Sequence, residues 1–118
     1  MTALALSRVI IFTADMAGMT RFYRDVIGLP VLGEEKGWVE LGAGGCSIAL
    51  HAWRGKAPEG PVKIVFYSDD VAATRADLVA RGATLGKVSS FGSLALCDGF
   101  DPDGNAYQIS SRVTAGGG

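Results

Sequence analysis

Few side chains in this sequence can do chemistry. There is one histidine, His51, and there are two cysteines, Cys46 and Cys97, with no CxxC pair. A thiol nucleophile needs a base within reach, and His51 is the only imidazole to serve one. Two reduced thiols packed as small apolar side chains explain the cysteines more simply. Glu40 is the acid that could work with His51. Two cations stand out by position: Arg8 opens RVIIF and Lys63 opens KIVFY, 55 residues later. Gln108 follows a dense turn, FDPDGNAYQIS at 100–110, in which Pro102 presets φ, Gly104 takes a positive φ, and Asp and Asn bond their own backbone. Such a turn sets the register of the next strand, and so the face on which Gln108 emerges. Asp15, Asp70, Asp101 and Asp103 read as helix caps and turn residues without a chemical role.

The elements that must carry these residues repeat. A strand over 4–13 leads to Asp15, a helix cap, and to an apolar helical stripe of Met16, Met19, Phe22, Tyr23, Val26 and Ile27. Gly28 and Pro30 stop that helix. Extended runs at 31–36, 38–41 and 46–51 follow, the last two joined by GAGG. After a polar stretch with two prolines, VKIVFYSDDVAATRADLVARGA restarts the order of strand, Asp cap, helix and glycine stop. Its stripe is Val71, Leu78 and Val79 around Thr74 or Arg75, and extended runs at 85–88, 93–98 and 106–110 complete it. Sliding by 55 residues sets Lys63 on Arg8 and Asp70 on Asp15. Each half is βαβββ, an internal duplication of about 50 residues. Neither half has core enough to stand alone, so the expectation is one domain over 1–118. Module one covers about 5–53, a linker 54–61, module two about 62–112, and a disordered tail 113–118.

Composition narrows the class. A hydrophobic fraction of 48% with 19% charged residues suits a globular α+β protein with a real core. Net charge is −1 and no Lys/Arg run occurs, which argues against nucleic acid as a partner. No apolar run approaches the ~20 residues of a membrane span, and Met1–Leu6 is too short for a secretory signal. A soluble, cytoplasmic protein is expected, with no membrane partner.

FYRDVIGLPVL closing the first helix, SDDV opening the second and DPDGN before the last strand resemble the vicinal oxygen chelate superfamily. These are the glyoxalase, bleomycin-resistance and extradiol dioxygenase proteins, and the likeness spans roughly residues 5–112. It implies two βαβββ modules in tandem, curled into a sheet cup whose pocket is often completed in a homodimer. In metal-using members the first and last strands of each module supply the ligands. Carried onto this chain, those positions are Arg8, Ala49, Lys63 and Gln108. Arginine and lysine offer only donors and positive charge, and alanine offers nothing, so the usual metal site is absent. No cofactor is expected.

Period-two alternation sorts the strand faces. Arg8, Ile10 and Phe12 share one face; so do Lys63, Val65 and Tyr67, and Ala106, Gln108 and Ser110. A hairpin at GAGG that sets Leu41 beside Cys46 puts Trp38 across from Ala49 and Glu40 across from Ser47. The expected ligand-binding residues are Arg8, Phe12, Trp38, Glu40, His51, Lys63, Tyr67 and Gln108. Two cations with aromatic walls suit a small anionic or aromatic ligand. The competing account pairs Arg8 and Lys63 with Glu40 or Asp98. The favoured function is metal-independent small-molecule binding. The alternatives are an enzyme of the glyoxalase or dioxygenase type, with an altered metal site or His51–Glu40 acid–base chemistry, and a dimer whose pocket its own side chains occlude.

Overall fold

The computed structural model describes Leu6 and residues 8–55 and 62–113. Most of the expected linker and nearly all of the expected tail lie outside the described residues. The chain divides into two compact units, residues 1–59 and 60–118. The first carries β1 (Arg8–Thr13), α1 (Met16–Arg21), β2 (Val31–Glu35), β3 (Trp38–Gly42) and β4 (Ser47–Ala52). The second carries β5 (Ile64–Tyr67), α2 (Val71–Ala80), β6 (Ser89–Phe91), β7 (Leu94–Phe100) and β8 (Ala106–Ser110). Each is an open four-stranded sheet, ordered β1-β4-β3-β2 and β5-β8-β7-β6, so the βαβββ repeat stands. The first strand pairs parallel to the last in both, which the intervening helix makes sterically feasible.

The repeat extends to its caps. Asp15 Oδ1 accepts from Gly18 N–H and Asp70 Oδ1 from Ala73 N–H, both at 3.0 Å. The Thr13 and Ser68 hydroxyls in turn accept the backbone N–H groups of Asp15 and Asp70. Each helix thus starts at an aspartate whose backbone N–H donates to a hydroxyl at or just past the end of the preceding strand. Gly82, at φ +109°, ends α2 in a conformation that only glycine adopts without strain.

Three local readings differ from expectation. The first helix is not uniform: after Arg21 it widens into a π-helical turn over Phe22–Val26, with Ile27 N–H donating to Phe22 C=O at 2.9 Å. The wider turn keeps both Phe22 and Tyr23 buried. Val79 is exposed, so the stripe of α2 narrows to Val71 and Leu78. The strand expected at 85–88 forms later, at Ser89–Phe91, because Arg75 takes the Leu85 and Gly86 carbonyls (2.9 and 2.7 Å). Gly99 lets that segment come close; a Cβ there would lie 2.9 Å from Thr84 O.

Cys97 is buried, which pushes its thiol pKa up, whereas Cys46 is only half-buried beside the hairpin turn. Among the described residues no helix is long and apolar enough to cross a membrane.

Candidate functional site

In module one the buried face of the sheet is Ile11, Thr13, Val39, Leu41, Ile48 and Leu50. Alternation leaves the other face more open, with Ile10, Phe12 and His51 exposed and Trp38 and Glu40 half-buried, although Ser47 and Ala49 of the central strand are buried there too; register lays this face out as rows across β1, β4 and β3. One row is Phe12–His51–Trp38, the next Ile10–Ala49–Glu40, and the third begins Arg8–Ser47. All five residues expected to bind ligand in this half, Arg8, Phe12, Trp38, Glu40 and His51, therefore share this open face.

The hairpin register differs from expectation by two residues. Ala43 N–H donates to Cys46 C=O at 2.9 Å, closing the turn on Gly44 and Gly45 alone, with Gly44 at φ +84°. A glycine pair is suited to such a two-residue turn, and it wins over the longer loop. A shift by two preserves faces but changes neighbours: Trp38 lies across from His51, and Glu40 across from Ala49. Trp38 accordingly does not stand directly opposite Ala49. Arg8 instead reaches diagonally from β1 to Glu40 on β3, across the intervening strand, where the methyl of Ala49 leaves room.

Glu40 Oε2 accepts from Arg8 Nε at 2.9 Å and from the Ser47 hydroxyl at 2.5 Å. Those bonds, Ser47 first and Arg8 next, hold the Glu40 carboxyl below the ordinary carboxylate range. The Arg8 guanidinium also stands 5.7 Å from the Trp38 ring centroid, within cation–π reach. Aromatic contact then runs on: Trp38 to His51 at 5.9 Å, His51 to Phe12 at 5.3 Å, Phe12 to Trp53 at 5.1 Å. Trp53 joins this row because its backbone N–H donates to Thr13 C=O (2.8 Å), extending the β1–β4 pairing past Ala52. Phe12 and Trp53 remain 38% and 44% exposed, more than packing alone requires of large rings.

Module two repeats the plan with other side chains. Gln108 lies opposite Asp98 and Val65, as Ala49 lies opposite Glu40 and Ile10. Asp98 Oδ1 accepts from Lys63 Nζ and from Gln108 Nε2, both at 3.0 Å, and these bonds, Gln108 first, lower its pKa. Asp98 is thus the repeat counterpart of Glu40. Tyr67 shares this face, 59% exposed. A concavity of about 720 Å³ opens within the module, lined by Val65, Phe91, Leu94, Leu96, Gln108 and Arg112 among others. Asp101 behaves as a turn residue: Oδ1 accepts from Asp103 and Asn105 N–H, and Oδ2 from the Asn105 amide.

The positions that resemblance assigns to metal ligands do not fit an ion. Arg8 and Lys63 carry no lone pair and already donate to Glu40 and Asp98; Ala49 has no donor atom; Gln108 turns its amide nitrogen toward Asp98. Among the described residues no three of His, Cys, Asp and Glu group as a metal site.

A family model described as the Glyoxalase/Bleomycin resistance protein/Dioxygenase superfamily matches residues 5–109. No curated protein matches the chain. Solved structures do. An antibiotic binding protein, TnmS3, from Streptomyces sp. CB03234 is 22% identical with a TM-score of 0.79, over 92% of this chain and 96% of that one. A lactoylglutathione lyase from Agrobacterium tumefaciens is 21% identical with a TM-score of 0.75, over 92% and 94%. A glyoxalase/bleomycin resistance protein from Streptomyces sp. CB03234 is 22% identical with a TM-score of 0.73, over 89% and 98%. At these identities the likeness is one of fold.

Proposed function

The chain belongs to the glyoxalase/bleomycin resistance protein/dioxygenase superfamily, and from that premise we propose that it binds a small planar aromatic molecule without a metal ion. The observation that carries the reading is the open row Phe12–His51–Trp38, extended by Trp53. Phe12, His51 and Trp53 are exposed and Trp38 is half-buried, with successive rings tilted 50–82° to one another, so the row offers both ring faces and edges to a ligand, and exposed apolar patches of this kind mark binding surfaces. The apolar concavity of module two, about 720 Å³, lies in the size range of small-molecule sites. A structural neighbour named as an antibiotic binding protein supports the same direction.

Charge shifts the expected ligand from anionic toward aromatic. Arg8 and Lys63 each hold an acid within about 3 Å, so neither is a lone buried cation waiting for an anion. The same pairing counts against His51–Glu40 acid–base catalysis. A carboxylate kept ionised by Ser47 and Arg8 is a poor proton acceptor at neutral pH.

The reading includes a homodimer, as family members commonly form. Phe91 and Phe100 in module two stay 64% and 67% exposed, surface that a second subunit would cover. The functional test is a thermal-shift screen that pairs planar aromatics with saturated analogues, beginning with 2-naphthol against decahydro-2-naphthol. The aromatic member should raise the melting temperature more. Equal shifts, or none across a panel of planar compounds, would refute the platform.

A further inference from the structure

His51 is the sole histidine, and its ring is fixed by a short contact: Nδ1 lies 2.8 Å from the carbonyl oxygen of Ala52. A carbonyl only accepts, so Nδ1 carries the hydrogen, and in the neutral ring Nε2 is left as an acceptor. Nothing among the described residues fills that acceptor. Its neighbours are rings, Phe12 at 5.3 Å and Trp38 at 5.9 Å. One lone pair therefore looks out of an otherwise apolar aromatic row.

We infer that the ligand is a planar aromatic that carries a hydrogen-bond donor, a phenolic hydroxyl or a ring N–H, and that His51 Nε2 accepts from it. This rests on the binding reading above and narrows it to a chemical class. Stacking on Phe12, Trp38 or Trp53 is indifferent to what the ring carries at its edge; the imidazole is not. A donor meets the lone pair, whereas a methyl ether or N-methyl group of the same shape covers it and strips its water without replacement. Selectivity between such isosteres is thus assigned to a single atom.

Matched pairs test this on the full chain: 2-naphthol against 2-methoxynaphthalene, and indole against 1-methylindole, by calorimetric titration. The donor member should bind about tenfold tighter in each pair, the worth of one neutral hydrogen bond. His51→Phe keeps a ring in the row and should bring the two members of each pair to equal affinity. Histidine-selective ¹⁵N labelling gives an independent readout on the unaltered protein, because only one side chain reports. At pH 8.5 the free protein should show Nδ1 protonated, and saturation with 2-naphthol should move the Nε2 resonance more than saturation with its methyl ether. Equal binding within the pairs, a preference that survives His51→Phe, or an Nε2–H tautomer would overturn this inference and leave the aromatic platform standing. Absence of binding by every member, and by the wider aromatic panel, would overturn both.

Discussion

Arg8 and Glu40 are bonded at 2.9 Å although their strands are not neighbours; β4 runs between them. Lys63 and Asp98 repeat the relationship across β8 at 3.0 Å. In each module a cation at the start of the first strand is strapped over the central strand to an acid on the third.

Removing a strap should cost little stability. Both pairs are partly exposed, and exposed ion pairs contribute weakly. Arg8→Ala or Lys63→Ala should lower the melting temperature by no more than about 5 °C in a scanning measurement. A collapse of the fold would show that the strap, and not the hydrophobic face beneath it, organises the sheet.

The pH dependence follows from the same acids. Glu40 and Asp98 have folded-state pKa values lowered by their hydrogen bonds. Their contribution is complete above the ordinary carboxylate range, near pH 4, and is lost as pH falls through the lower folded values. Melting temperature should therefore hold from pH 7 to about 5 and decline below about 4. The Glu40→Gln, Asp98→Asn double variant should start lower and decline less.

No stoichiometric transition metal should bind. Elemental analysis after dialysis, followed by titration with Ni²⁺, Zn²⁺ and Fe²⁺, checks this. One tightly held ion per chain would mean that the donor set lies elsewhere than Arg8, Ala49, Lys63 and Gln108.

Light scattering over a dilution series should report twice the 12.2 kDa chain mass. A monomer at micromolar concentration would leave the exposed Phe91 and Phe100 without the proposed cover.

Much of this arrangement was legible in the sequence because alternation and repetition are coarse signals. The pairing of Arg8 with Lys63 follows from the 55-residue repeat, whereas that of Ala49 with Gln108 was implied by the family resemblance and is seen in the strand registers. The row partners were harder. Whether Trp38 faces Ala49 or His51 depends on whether GAGG turns on two residues or four, and both keep every side chain on its face. Asp98 was visible as an acid but not as the counterpart of Glu40, because the second module reaches it through a differently spaced loop that Arg75 pins. The π-helical turn has no signature in the apolar stripe, which reads the same in either helix.

Trp38 and Phe12 should matter to binding and not to folding. Trp38→Ala or Phe12→Ala should weaken binding of 2-naphthol about fivefold to tenfold, the scale of one ring–ring contact, with circular dichroism unchanged.

The central claim is binding on the aromatic row without a metal, and calorimetric titration of 2-naphthol into protein held in excess EDTA tests it most directly. Saturable binding is expected, equal in strength with and without the chelator and weakened in Trp38→Ala. Binding that vanishes in EDTA and returns with a divalent ion, or that is as strong in Trp38→Ala, would contradict it.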